Sequence, residues 1–186
     1  VNGDGIIDTH DQVKLGNSIP KWMGGFNTSA SWKGLTLFAR FDYALGYKKW
    51  NSGYQYFMGI TSGSFNVPDL AKETWTEDNP TAGLPVLMTN DTNFKKNYTR
   101  STSLFWENAA YLCAREISLS YDLPSQWTKK AMMEKVTVTL TGQNLFYVTS
   151  NNLYTPEYDS ANNTKDDGKG GYALPKTVLM GIKVVF

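Results

Sequence analysis

The final stretch of the sequence, residues 176–186, alternates in side-chain character every second residue. Its apolar face consists of Val178, Met180, Ile182, Val184 and Phe186. A period of two is that of a β-strand, where successive side chains point to opposite faces. A strand of about 9–11 residues also suits a tilted crossing of a bilayer. Two structures accommodate such a strand: a closed membrane barrel, which leaves no free edge, and a soluble sandwich that buries it.

The same alternation recurs in four earlier segments, so the chain is predicted to be all-β with about five strands. The predicted strands cover residues 26–32, 35–47, 104–121, 136–146 and 176–186. Lys33 and Gly34 lie between the first two and predict a tight hairpin turn. The second strand carries Arg40 and Asp42 on its polar face, where they can face water or each other.

The third predicted strand has one charged residue on what would be its apolar face. A regular strand places Arg115 on the same face as Ile117, Leu119 and Tyr121. On the lipid side of a barrel, an Arg at mid-depth costs about 2–4 kcal/mol. We therefore predict a β-bulge between Leu112 and Ile117, since one extra residue reverses the side-chain phase.

Composition excludes several classes of function. The net charge of +1 argues against a nucleic-acid-binding protein. One cysteine, Cys113, rules out an internal disulfide framework, and one histidine, His10, offers no catalytic triad. The carboxylates Glu107, Glu116 and Glu157 have no spacing that pairs them for chemistry, so we predict no enzyme activity. There is no run of 18 apolar residues and thus no transmembrane helix.

The first residues resemble a calcium-binding loop that lacks its first ligand. In the pattern D-x-[DN]-x-[DN]-G, oxygen ligands lie at loop positions 1, 3, 5, 7, 9 and 12. Those from position 3 onward correspond to Asn2, Asp4, Ile6 (through its carbonyl), Asp8 and Asp11. Because these are hard oxygen ligands on a flexible backbone, the candidate ion is Ca²⁺ before Mg²⁺. The alternative is an Asx-rich turn without metal. Position 1 would precede Val1, so we expect the chain to be a piece of a longer protein.

The connections between strands alternate between short and long. Residues 33–34 and 123–135 form short connections, whereas residues 48–103 and 147–175 form long ones. Short inner turns with long outer loops are typical of outer-membrane barrels. Aromatic girdles are expected at both ends: Trp32, Tyr121 and Phe186 at the inner end, and Tyr43, Tyr47 and Phe146 at the outer end.

Aromatic side chains are also frequent in the first long connection. They are Tyr54, Tyr56, Phe57, Phe65 and Trp75. They can pack the loop on itself or stack on a sugar ring, and self-packing is the default. A short helix is expected over residues 67–75, which have Pro near the start.

Several motifs resemble the SusC/RagA-type TonB-dependent transporters in the order of that family. They are Asn2-Gly-Asp-Gly-Ile-Ile-Asp, Leu15-Gly-Asn-Ser-Ile-Pro-Lys, Trp75-Thr-Glu-Asp-Asn-Pro-Thr-Ala, Ile117-Ser-Leu-Ser-Tyr-Asp-Leu-Pro, Gly142-Gln-Asn-Leu-Phe and the terminal Gly181-Ile-Lys-Val-Val-Phe. The chain departs from the family pattern at Cys113 and Ala114, where Arg and Leu are usual. That departure concerns local packing.

The resemblance implies the C-terminal strands of a 22-stranded outer-membrane barrel in a Gram-negative cell, with long extracellular loops. Residues 1–20 would form an outer loop with the calcium-like motif, and residues 21–186 the last five strands. The plug, the remaining strands and the segment that contacts TonB would lie upstream. The implied partners are a SusD-like surface lipoprotein, membrane lipid and an imported oligosaccharide or peptide.

A second hypothesis is a secreted, calcium-stabilised β-sandwich that binds carbohydrate. It predicts that the apolar strand faces pack on each other instead of on lipid. The two hypotheses therefore differ in what covers Leu37, Phe41, Val138 and Ile182.

Overall fold

The computed structural model describes residues 3, 9–59, 69–87, 97–151, 153, 156–157, 165–166 and 174–186. Nine strands appear in this part of the chain: β1 (Trp22–Trp32), β2 (Leu35–Leu45), β3 (Lys48–Asn51), β4 (Trp106–Asn108), β5 (Tyr111–Asp122), β6 (Lys135–Gln143), β7 (Tyr147–Thr149), β8 (Lys165–Asp166) and β9 (Thr177–Val185). Two α-helices are described, α1 (Ser52–Gly59) and α2 (Ser125–Thr128). Short 3₁₀ turns cover Thr9–Asp11, Asp69–Glu73, Ser103–Phe105 and Lys129–Ala131. The all-β prediction is confirmed.

One antiparallel sheet contains the five predicted strands. Its order is β1-β2-β5-β6-β9, and β7 pairs with the outer part of β5. The first predicted strand, residues 26–32, was too short, since β1 begins at Trp22. Three others were too long at the end nearest the long connections, among them the one predicted as residues 35–47, which ends at Leu45. The segment predicted as residues 104–121 divides into β4 and β5, and the one predicted as 136–146 ends at Gln143.

The register places like side chains side by side across all five strands. One row reads Ala30, Leu37, Leu119, Leu140 and Met180. The next row towards the β1–β2 turn points to the other face and reads Ser31, Thr36, Ser120, Thr139 and Gly181. Since cross-strand neighbours share a face, the sheet has one apolar and one polar surface.

The apolar surface of this sheet is uncovered. Leu37 is 46% exposed and Ile182 is 62% exposed. Phe41 and Val138 are only half-buried. Within the described residues, no second sheet lies over this surface. The sandwich hypothesis required such a layer, so its prediction of face-to-face packing is wrong for this part of the chain.

The predicted bulge in the third strand is confirmed. Arg40 pairs with Glu116, but the next residue, Phe41, pairs with Ala114, which leaves Arg115 as the extra residue. The bulge turns Arg115 to the polar surface and returns Ala114 to the apolar surface. The cost of a charge on the apolar face was therefore a sufficient clue to the backbone irregularity.

The β1–β2 connection is the predicted two-residue turn. Lys33 has φ 48° and Gly34 has φ 84°. Positive φ at both central residues is the requirement of a type I′ turn, whose twist matches that of the flanking strands. A Cβ on Gly34 would also lie 3.1 Å from the backbone oxygen of Asp122, so glycine is needed here for two reasons.

The long connections contain structure that the alternation did not predict. β3 pairs with β4 and with β8 to form a small second sheet, and α1 follows β3 directly. The helix expected over residues 67–75 is a 3₁₀ turn at Asp69–Glu73 in the described part. No helix among the described residues is long and apolar enough to cross a membrane.

Candidate functional site

The polar surface of the main sheet carries a ladder of hydroxyl groups. There, side chains on neighbouring strands form hydrogen bonds with each other. The pairs are Ser31 with Thr36 (2.9 Å), Ser120 with Thr139 (3.0 Å), Thr141 with Ser118 (3.1 Å) and Thr137 with Asp122 (2.6 Å). Hydroxyl groups both donate and accept hydrogen bonds, so this surface suits contact with water or a hydrophilic solute.

A cluster of charged groups lies on the same surface around the bulge. The Arg115 guanidinium donates two hydrogen bonds to the Asp42 carboxylate, at 2.8 and 2.6 Å. Its Nη1 donates to Asn144 Oδ1 at 2.8 Å and lies 2.9 Å from Glu157 Oε1. The Tyr147 hydroxyl donates to the same Glu157 oxygen. A guanidinium that donates two hydrogen bonds to one carboxylate is held in a fixed orientation. Arg115 therefore links β5 to β2 through Asp42, to Asn144 after β6, and to the loop that contains Glu157.

Two further contacts hold residues 156–157 against the wall. The Tyr47 hydroxyl donates to the Pro156 carbonyl, and Lys49 Nζ donates to the Glu157 carbonyl at 3.0 Å. Tyr47 is only 2% exposed, and this burial raises the pKa of its phenol above the usual value. Tyr47 therefore packs under the loop instead of joining an outer aromatic girdle, and that sequence prediction is wrong. The Glu157 contacts are long-range and left no sequence signal.

The aromatic residues of the first long connection pack largely on themselves. Trp50, Met58, Tyr98 and Phe105 form a buried cluster, and Tyr54 packs edge-on to Phe105 with ring centroids 5.5 Å apart. Of the other residues considered for sugar stacking, Tyr56 and Phe57 contact each other at 5.5 Å. Phe57 remains 47% exposed and Trp75 41% exposed, while Phe65 lies outside the described residues.

The structure describes only one of the candidate calcium ligands. Asn2, Asp4, Ile6 and Asp8 lie outside the described residues. Asp11 ends the 3₁₀ turn at Thr9–Asp11 and is half-buried. Among the residues that are described, no group of three or more His, Cys, Asp or Glu side chains is placed to hold a metal. The calcium site therefore remains a prediction from the sequence.

The three carboxylates weighed for catalysis each have a structural partner. Glu107 accepts a hydrogen bond from Asn51 at 2.7 Å, Glu116 lies 3.7 Å from Arg40, and Glu157 belongs to the Arg115 cluster. The side chain of Cys113 is fully buried. These groups are accounted for by packing and ion pairing.

Comparison with known proteins agrees with this architecture. No protein-family model matches the chain. The chain is 28% identical to the TonB-dependent receptor P26 of Formosa agariphila, over 100% of the chain and 19% of the receptor. It is 24% identical to the TonB-dependent receptor P3 of the same organism, over 100% of the chain and 18% of that receptor.

Solved structures decide the assignment. A chain of the RagAB peptide importer in the closed-closed state superposes with a TM-score of 0.72 at 27% identity, covering 97% of this chain and 20% of that one. The open-open state gives 0.68 at 30% identity, covering 88% and 17%. The chain corresponds to the C-terminal portion of a SusC/RagA-like TonB-dependent transporter. It spans about a fifth of the length of the SusC/RagA-like relatives it matches.

Correspondence to the C-terminal portion of such a large barrel explains why the sheet is open. A few strands cut from a large barrel retain one apolar and one polar surface but cannot close on themselves. The names of these relatives describe receptors and importers, which favours a role without enzyme activity.

Proposed function

We propose that the chain is part of an outer-membrane barrel that imports nutrients, with its apolar surface on lipid and its polar surface on the lumen. The observation that carries this proposal is the separation of the two surfaces across five strands. The row through Leu37, Leu119 and Leu140 is exposed, while the adjacent row through Thr36, Ser120 and Thr139 is hydroxylated. A wall between hydrocarbon and water requires this separation.

The proposed orientation places the β1–β2 turn and α2 in the periplasm and the long connections outside. Residues 1–20, with the candidate Ca²⁺ loop, would then be extracellular, and residues 21–186 would supply five strands and their loops. Exposed aromatic side chains support this arrangement, because Trp22 lies at the outer end of β1 and Trp32 at its inner end, 71% and 70% exposed. Sequence outside this chain would supply the plug and the other strands.

The full transporter is proposed to take up oligosaccharides or peptides with a SusD-like surface lipoprotein and energy from TonB. The family resemblance supports this reading, and the RagAB relative is itself named a peptide importer. The hydroxyl ladder supports a hydrophilic solute but does not distinguish the two substrate classes. Covalent chemistry is not part of the proposal.

Fractionation and uptake test the proposal in the full-length transporter. We expect the protein in the outer-membrane fraction, released only by detergent and migrating faster on gels before heating, as folded barrels do. Deleting its gene should reduce uptake of labelled oligosaccharides or peptides, and removing TonB should reduce it equally. Recovery in the aqueous fraction without detergent would refute the barrel assignment. Undiminished uptake without TonB would refute the energy source.

A further inference from the structure

Three lysines converge on an open cleft at the outer end of the polar surface. The cleft has a volume of about 290 Å³, and Lys14, Lys21 and Lys48 line it together with Asn17 and Asn108. Lys21 is on the polar surface because its neighbour Trp22 points to the apolar one. Its Cβ lies 3.2 Å from where a Cβ on Gly46 would be, so the glycine leaves the cleft open.

Within the part of the chain that the structure describes, the positive charge of this cleft has no acidic partner. None of the described residues that line it is acidic. Among the described residues, Lys14, Lys21 and Lys48 form no ion pair, in contrast to Arg115, Lys72 and Lys135 elsewhere. Like charges that share one concave site repel each other, and the repulsion is relieved when an anion enters.

A second cleft continues the first and adds an apolar wall. Lys14, Gly16, Asn17 and Lys48 line both clefts, and the second also includes Val13, Leu15 and the half-buried Trp106. Ammonium groups and side-chain amides therefore lie beside an indole ring. An acidic sugar has the matching chemistry, since it carries oxyanion and hydroxyl groups around a ring with an apolar face.

The backbone around the clefts argues against an extended peptide as the ligand. Lys48 N donates to Asn17 O at 2.8 Å, and Lys21 N donates to Leu45 O at 3.0 Å. β4 pairs with β3 from Lys48 to Trp50, and β8 pairs with β3 at Trp50 and Asn51. One common way to bind an extended peptide is to add it as a strand to a free sheet edge, and at Lys48 both edges of β3 are already taken, by Asn17 and by β4.

We propose that Lys14, Lys21 and Lys48 form a binding site for the carboxylate or sulfate groups of an acidic oligosaccharide that the transporter takes up. This inference rests on the proposed import function and specifies its substrate class. Asn17 would donate to sugar hydroxyls, and Trp106 would pack on the ring. The site lies where the polar surface meets the outer loops, so it would act at entry.

Binding to the purified full-length transporter tests the site. Calorimetry would compare oligogalacturonate, its neutral methyl ester and an oligoglutamate peptide. In a Lys14→Gln/Lys21→Gln/Lys48→Gln variant, we expect the affinity for oligogalacturonate to fall about tenfold to a hundredfold, since exposed charge contacts contribute up to about fivefold each. The affinity should also fall at about 1 M salt, where the Debye length is about 3 Å.

Two control variants separate charge from folding. Lys129→Gln/Lys130→Gln changes two exposed lysines beside α2 at the opposite end of the sheet and should leave binding unchanged. Lys14→Arg/Lys21→Arg/Lys48→Arg keeps the charge and should retain most of the affinity.

Three outcomes would overturn the inference: equal affinity in wild type and the triple Gln variant, equal binding of the neutral ester, or tighter binding of the peptide. Normal outer-membrane insertion and uptake in such a case would leave the proposed import function standing.

Discussion

Replacing Ile117 by Arg tests the lipid-facing assignment most directly. Ile117 lies on the apolar surface of β5, where its register partners are Ala39 on β2 and Gly142 on β6. Its neighbour Ser118 points to the polar surface and accepts a hydrogen bond from Thr141. The two positions share a strand, a depth and a flanking sequence. They differ only in the face on which the new charge would appear.

The depth of Ile117 follows from the length of β2. From Leu35 to Leu45, six apolar-face positions are separated by two residues each. At about 3.4 Å per residue and a tilt of about 45°, they cover a height of about 24 Å, close to the apolar band of about 25 Å in outer-membrane barrels. Ala39 and its partner Ile117 then lie about 2–3 Å from the midplane. An Arg at that depth costs about 2–4 kcal/mol.

We expect Ile117→Arg to lower the free energy of unfolding of the full-length transporter in bilayers by about 2–4 kcal/mol. Ser118→Arg should cost about 1 kcal/mol or less, mainly through the lost hydrogen bond to Thr141. Leu119→Arg and Tyr121→Arg, progressively nearer the inner end, should cost progressively less than Ile117→Arg. Denaturant titration followed by the heat-dependent gel shift measures all four. Equal losses for Ile117→Arg and Ser118→Arg would refute the assignment of the two surfaces.

Three other substitutions test local features. Gly34→Ala should lower the free energy of unfolding by about 1–2 kcal/mol in the same titration, because Gly34 has a positive φ. Gly181→Ala is the control and should lower it much less, because the added Cβ meets nothing within 4 Å. Similar losses in the two variants would contradict the turn argument. Glu157→Gln removes the negative charge that faces Arg115 and should weaken the attachment of residues 156–157 to the sheet by about 1 kcal/mol. The expected readout is faster protease cleavage of that loop. An unchanged cleavage rate would show that the ion pair does not hold the loop. If the first loop binds Ca²⁺, Asp4→Ala should raise its protease sensitivity to the level seen in wild type treated with a chelator. If the chelator does not change the protease sensitivity of the wild type, the loop binds no ion.

The main sheet was predictable because its cause is local. Hydrophobic alternation has a period of two, and a wall between lipid and water enforces that period along each strand. Arg115 was informative for the same reason, since its charge was incompatible with the face that a regular strand would assign to it. The bulge was therefore deduced from one residue and the cost of placing it in hydrocarbon.

The outer part of the structure was not predictable in the same way. β3 is four residues long, too short to show a period, and it is stabilised by β4, more than 50 residues later in the chain. Tyr47 continues the apolar alternation of β2, yet its hydroxyl bonds to Pro156, 109 residues away. A single sequence contains no signal for such contacts, because each partner alone is an ordinary loop residue.

The bulge in β5 and the turn that follows β6 lie side by side, and together they position the residues of the charged cluster. Arg115 is the extra residue of β5, and directly beside it Asn144 adopts a left-handed conformation with φ 51° and donates its N–H to the Arg115 carbonyl. Leu145 then folds back so closely that a Cβ on Gly142 would lie 2.7 Å from its side chain. The bulge and this turn thus bring the Arg115 guanidinium and the Asn144 amide together on the polar surface, where Glu157 contacts the guanidinium. Regular strands would have sent Arg115 to the apolar side, so the bulge is what gives the outer loop its attachment to the wall.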